Sequence, residues 1–232
     1  MRKTAKNTKS IRNRNRLMRK YYISYTEDTN INYLYLLLFY KIAEADKVNN
    51  TFVYCKIYFD SYNELTKRLN TEYKLCCPNS TKQQIVSKST LYRFLNDAGN
   101  TRYFDFNAEK NIILLKNNFS KSNKVKFVVL TDNEVNFLLL HNDELLTRYY
   151  LYIKYYCGYS REKKTDFTAK QFLEASNYST KSGANKTKIC SYNSLLSSNG
   201  LIKIEKYRTN SKERNIYSLP WAIGAVISQL VG

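Results

Sequence analysis

Histidine is almost absent from this chain: His141 is the only one in 232 residues. A paired-histidine metal nuclease or a His-rich zinc hydrolase cannot be assembled from one imidazole. Gly 6 and Pro 2 are low counts, which excludes a collagenous, linker-dominated or Pro-rich disordered chain. The five cysteines are Cys55, Cys76, Cys77, Cys157 and Cys190, an odd number with no C-x-x-C spacing. They offer neither a zinc-finger framework nor a sensible disulfide set, so idle or buried thiols in a reducing cytoplasm are expected. Long apolar runs are missing too. YLYLLLFY at 33–40 and WAIGAVISQLVG at 221–232 fall short of the ~18 residues that span a bilayer. The basic N-terminus has no apolar stretch behind it to make a secretory signal, so a membrane partner is not expected. No clustered acidic pair suited to two-metal chemistry stands out, and neither an enzyme nor a bound cofactor is expected.

Positive charge is abundant: Lys plus Arg is 38 against 19 for Asp plus Glu, a formal charge of +19. That imbalance favours a polyanionic partner, and nucleic acid above a membrane surface. Residues 1–20 hold nine cations, among them Arg12, Arg14, Arg16 and Arg19, and the first acid is Glu27. A like-charged block repels itself, so 1–28 reads as a disordered arm able to lie along phosphates or enter a minor groove. The arm has few bulky apolar residues to bury in a bilayer. Tyr 22, with plentiful Lys, Asn and Ile, fits A/T-rich codon usage, and most tyrosines are expected to pack helices rather than form a base-stacking ladder.

The order of elements carries the fold expectation, an α+β, mainly α chain. NINYLYLLLFYKIAEAD at 30–46 is apolar at helical spacing, with Asn30 as cap. TFVYCKIYF at 51–59 reads as a strand. Ser61 to Glu64 makes a capping-box pattern for the helix YNELTKRL, and a second helix follows over Lys88 to Asp97, with Ser87 and Ser89 as candidate caps and Gly99 as terminator. RYFDF at 102–106 and NIILLK at 111–116 flank a turn, a hairpin signal. Helix, strand, helix, helix, hairpin is the order of a winged helix. The second half reads alike: a strand KFVVL at 126–130, a capping box at Thr131 to Glu134, and a helix from Asp143 to Cys157 stopped by Gly158. After a polar loop REKKTD come a capping box at Thr168 to Gln171, a helix from about Ala184 to Ser198, and strands at 201–208 and 215–220. The expected organisation is an arm 1–28, winged-helix domains 29–122 and 123–220 with hairpin wings, and an apolar tail 221–232.

In the helix after NYSTKSG, Ile189, Tyr192, Leu195 and Leu196 share a face and should be core. The other face then offers Asn185, Lys186, Lys188 and Asn193, with Lys181 and Ser182 just ahead of it. Asn can read adenine edges, and Lys can reach guanine or phosphate. The wing adds Lys206, Arg208, Lys212 and Arg214 for phosphates. In the first half Ser87, Lys88, Thr90 and Arg93 lie opposite a core face of Leu91, Phe94 and Leu95.

The stretch 166–219 resembles the winged-helix segment of replication initiators from plasmids and phages of low-GC Gram-positive bacteria. Its marks are the T-x-x-Q helix start at Thr168, the NYS turn at 177–179, a helix ending in L-L-x-x-N-G-L-I, and a wing closing on a tyrosine strand. Over the whole chain the similarity is in element order and size. The resemblance implies a tandem winged-helix protein that binds repeated double-stranded DNA sites at an origin and recruits host replication proteins. By matched position it implies Lys181, Asn185, Lys186 and Lys188 as major-groove contacts and Arg208 and Lys212 as wing contacts. A transcriptional regulator or a partition or conjugation accessory protein remains open beside it. The tail 221–232 leaves packing on the fold, homodimer formation and a purely protein-bridging role open as well.

Overall fold

The computed structural model describes residues 19–25, 31–48, 51–82, 84–116, 127–209 and 212–220. Among them run seven α-helices and several small antiparallel sheets, an α+β chain about half helical. No helix of the described residues is long and apolar enough to cross a membrane. The chain divides into two compact units: unit 1 is Met1–Ser24 with Asn30–Asp143, and unit 2 is Tyr25–Thr29 with Glu144–Gly232.

In unit 1, β1 (Lys20–Ser24) precedes α1 (Tyr33–Ile42), β2 (Glu44–Val48) and β3 (Thr51–Tyr58). Then come α2 (Tyr62–Cys76), α3 (Lys88–Asn96), a 3-10 turn at Ala98–Arg102, β4 (Phe104–Asn107) and β5 (Ile112–Leu115), and finally β6 (Phe127–Thr131) and α4 (Asp132–His141). Four strands form one sheet in the order β2-β3-β5-β4. β1 and β6 form a separate ribbon, pairing Tyr22 with Val129. The core is aromatic: Phe39 lies 5.7 Å from both Phe94 and Phe104, and Tyr35 stacks on Phe94 at 5.0 Å. Such pairs add roughly 0.5–1.5 kcal/mol each beyond their burial.

Unit 2 contains α5 (Glu144–Tyr159), β7 (Lys164–Asp166), α6 (Ala169–Ala175), α7 (Gly183–Ser198), β8 (Lys203–Thr209) and β9 (Lys212–Ser218). Its sheet has the order β7-β9-β8. Tyr149 sits at the centre, fully buried, with Phe167, Phe172, Tyr192 and Tyr217 within 6.3 Å. The tyrosines at 149, 150 and 152 therefore pack the interior as expected.

Both units contain a strand, two helices and a hairpin in that order after a helix, with that strand bonded to the second hairpin strand (β3 to β5, β7 to β9), while unit 1 adds β1, β2, β6 and α4. Several expected boundaries move. The division falls after Asp143 rather than at 122/123, because β6 pairs with β1 and so belongs to unit 1. The repeat's own first strand in unit 2 is β7, inside the stretch read as the polar loop REKKTD. The arm does not extend to residue 28: Tyr21 and Ile23 are fully buried in β1, so aromatic and branched side chains outweigh the flanking charge. Residues 1–18, including Arg12, Arg14 and Arg16, lie outside the described residues, as does the tail 221–232. Helix α1 is capped by Asn32, not Asn30, and gives way to β2 after Ile42. Helix α5 runs through Gly158, which is buried, to Tyr159.

Candidate nucleic-acid interface

Unit 2 supplies the stronger surface. From Ala175 to Ile204 the chain carries Lys181, Lys186, Lys188 and Lys203 and not one carboxylate. Ser182 caps α7, its hydroxyl accepting from the Asn185 amide N–H, and Gly200 at φ 68 follows the helix in a left-handed conformation that a side chain would strain. Ile189, Tyr192 and Leu196 face inward, 2%, 6% and 0% exposed. Lys181, Lys186, Lys188, Thr187, Ser191 and Ser194 are exposed. None of the three lysines 181, 186 and 188 is held in an ion pair among the described residues.

Two asparagines expected on that face do other work. Asn193 stands four residues after Ile189 and three before Leu196, which places it on the inward stripe. The buried Tyr149 hydroxyl donates to its Oδ1 at 2.6 Å, and its amide reaches the Tyr217 hydroxyl at 3.5 Å. Its side chain is thus tied into the core. Asn185 donates through its amide to the Ser179 carbonyl at 3.0 Å, fastening the turn ahead of the helix. Ser182 serves as the cap.

The hairpin register divides the β8–β9 cations. Arg208 pairs with Glu213 and Lys206 with Asn215, on the face that carries Ile204 and the buried Tyr217. Beyond the core that face presents exposed Lys206 and Arg208. Tyr207 pairs with Arg214 on the opposite face, where Asp166 of β7 accepts from the Tyr207 hydroxyl at 2.8 Å and from Arg214 at 3.4 Å. Arg214 is therefore partly neutralised. Lys212 opens β9 opposite Thr209, and its side chain lies outside the described residues.

Unit 1 repeats the charge pattern with different side chains. Between Glu72 and Asp97 lie Lys74, Lys82, Lys88 and Arg93 and no carboxylate. Ser87 caps α3, its hydroxyl accepting from the Thr90 amide at 3.2 Å and lying 2.8 Å from the Thr90 hydroxyl. Both are thus engaged at the helix start. Lys88, Ser89, Tyr92 and Arg93 are exposed and, with Tyr62 from the start of α2, line an open groove of about 560 Å³. Composition and helical spacing do not mark Tyr62 and Tyr92 as surface residues. Tyr92 nevertheless follows Lys88 by one helical turn, which sets the two on the same side of α3. Arg19 belongs to the folded body rather than the arm, donating to the Lys41 carbonyl at 3.3 Å.

Several titratable groups lie in the interior. Burial pushes the Cys76 and Cys157 thiols up to about 12, and it raises Tyr149 well above the ordinary tyrosine range. Among the described residues no group of His, Cys, Asp and Glu could hold a metal ion. No family model, curated protein or solved structure matches the chain.

Proposed function

We propose that this is a double-stranded DNA-binding protein built from two winged-helix modules, with α7 as the principal groove-reading helix. In this reading α7 enters the major groove, its lysines facing base edges and phosphates, while Lys206 and Arg208 hold the neighbouring backbone. The particular role proposed is origin binding for plasmid or phage replication, in the cytoplasm of the host, with host replication proteins as further partners. The observation that carries the DNA reading is the exposure of Lys181, Lys186 and Lys188, just before and along α7, on a stretch of chain without a carboxylate. A surface of that kind, on a chain with this charge, suits a phosphate backbone.

The test is duplex binding by the full chain across a salt series, comparing DNA flanking its coding region with random sequence. Lys186→Ala with Lys188→Ala should reduce the salt slope by about two and weaken discrimination between the two DNAs. Cys190 is exposed on the same helix, and bound duplex should shield it from maleimide. A flat salt response, or a Cys190 thiol equally reactive with and without DNA, would overturn the reading. Footprints on direct repeats favour the origin role; footprints at a promoter favour a regulator.

A further inference from the structure

The two units differ where their shared order makes them most comparable. Matching the inward residues of α3 and α7 puts Leu91 on Ile189 and Phe94 on Tyr192. Lys88 then matches Lys186, which keeps a cation at the same helical position. Tyr92 matches Cys190, and Tyr62, the first residue after the Ser61 cap, matches Ala169, the first after the Thr168 cap. Unit 1 thus carries two aromatic rings where unit 2 carries small side chains.

Those rings are not core. Tyr92 is 54% exposed, and its ring centroid lies 5.5 Å from that of Tyr62, tilted by 59°. Tyr62 in turn leans on Phe59 at 5.9 Å and Phe106 at 6.4 Å, which braces the pair from beneath. Exposed Lys88 and Arg93 flank the groove, and neither is held in an ion pair among the described residues. A braced aromatic surface between two cations matches the chemistry of an unpaired nucleotide. The base supplies a π-face for the ring and the phosphate supplies the counter-charge. The hairpin of unit 1 also differs. Residues 104–116 carry Asp105, Glu109, Lys110 and Lys116, no net charge, and Lys116 is paired to Asp105 at 2.8 Å. Unit 2's hairpin, over 203–214, sets five cations against two acids.

We infer that the groove of Tyr62, Lys88, Ser89, Tyr92 and Arg93 binds single-stranded DNA, with a base stacked on Tyr92 and phosphates at Lys88 and Arg93. This rests on the DNA-binding reading above and assigns the two units different substrates: duplex for unit 2, unpaired strand for unit 1.

The experiment measures binding of a fluorescent oligothymidylate and, separately, of duplex DNA to the full chain and its variants. Tyr92→Ala should weaken the oligothymidylate complex roughly 5- to 150-fold, the range for loss of one stacked base, and leave duplex affinity within about two-fold, ordinary scatter for a site not used. Tyr92→Phe should retain single-strand binding, because stacking needs the ring and not the hydroxyl. Lys186→Ala with Lys188→Ala should show the opposite split. Circular dichroism confirms that each variant is folded. Duplex binding with no oligothymidylate binding would overturn the inference alone, and would leave the groove to a protein partner. Oligothymidylate binding indifferent to Tyr92→Ala would also overturn it. Oligothymidylate binding lost in Tyr92→Ala, with no duplex binding by any form, would sustain the groove and overturn the duplex reading. Absence of both overturns both.

Discussion

At the scale of single residues, the most consequential side chain in unit 1 is a lysine that touches no candidate interface. Lys41 is 3% exposed, and its ammonium lies 2.6 Å from Asp132 Oδ1, 2.9 Å from Asn136 Oδ1 and 3.9 Å from Glu72 Oε1. The Tyr21 hydroxyl donates to the same Asp132 oxygen at 2.5 Å, and burial, reinforced by that contact, drives the tyrosine's own ionisation far upward. Asp132 stands in the first turn of α4, where the helix dipole favours an anion. One ion pair thus fastens α1 and β1 to α4, which explains why β6 and α4 fold with unit 1. Breaking such a pair from one side leaves an uncompensated buried charge, at a cost of about 3–5 kcal/mol. Lys41→Met is expected to lower stability by that much in urea titration, and Lys41→Met with Asp132→Leu should recover only part of it, because buried Glu72 loses the lysine and the Tyr21 hydroxyl loses its Asp132 acceptor. A single variant within about 0.5 kcal/mol of wild type, the range for an ordinary surface change, would remove Lys41 from this role. Charge patterning alone could not show the cluster, because its members come from positions 21, 41, 72 and 132.

At the scale of elements, what could be read from the chain was local. Thr131 and Thr168 form complete capping boxes: each hydroxyl accepts from the amide three residues on, and Glu134 and Gln171 reach back to the cap amide. Ser61 and Ser87 also cap as expected, although Glu64 turns to Arg68 at 3.5 Å instead of to its own cap. The α3 and α7 core faces follow from helical spacing in the same way. Strand pairing is different. β1 and β7 are short or embedded in charge, and what makes them strands is a partner far along the chain, β6 and β9, while the polar β2 pairs with β3, which begins three residues after it ends. Local caps therefore bear testing by substitution. Helix α6 has only seven residues, so it relies heavily on its N-terminal box. Thr168→Ala should cost about 1 kcal/mol, read as a lower denaturation midpoint with an unchanged slope. An unaltered midpoint would mean the box adds nothing in context.

At the scale of the whole molecule, the charge of +19 is legible at once, but its division of labour is not. Composition ranks every lysine and arginine alike, whereas the fold sorts them. Lys41 and Arg148 are buried, Arg214 is paired with Asp166, and Lys181, Lys186 and Lys188 stand exposed on one helix and its approach. The cations of residues 1–18 form a third class, seven charges without one acid and outside either repeat. If specificity resides in α7, those seven should act only through phosphate neutralisation, which holds position without reading bases. Each phosphate contact contributes roughly 0.9 to the slope of log affinity against log salt. Deleting residues 1–18 is thus expected to lower that slope by several and to weaken binding to flanking and random duplex by the same factor, so the ratio between them stays constant. The Lys186 and Lys188 substitutions should instead shrink the ratio. A truncation that changed the ratio as much as those substitutions would place base reading in the N-terminal segment, and α7 would then be a phosphate clamp rather than the reader.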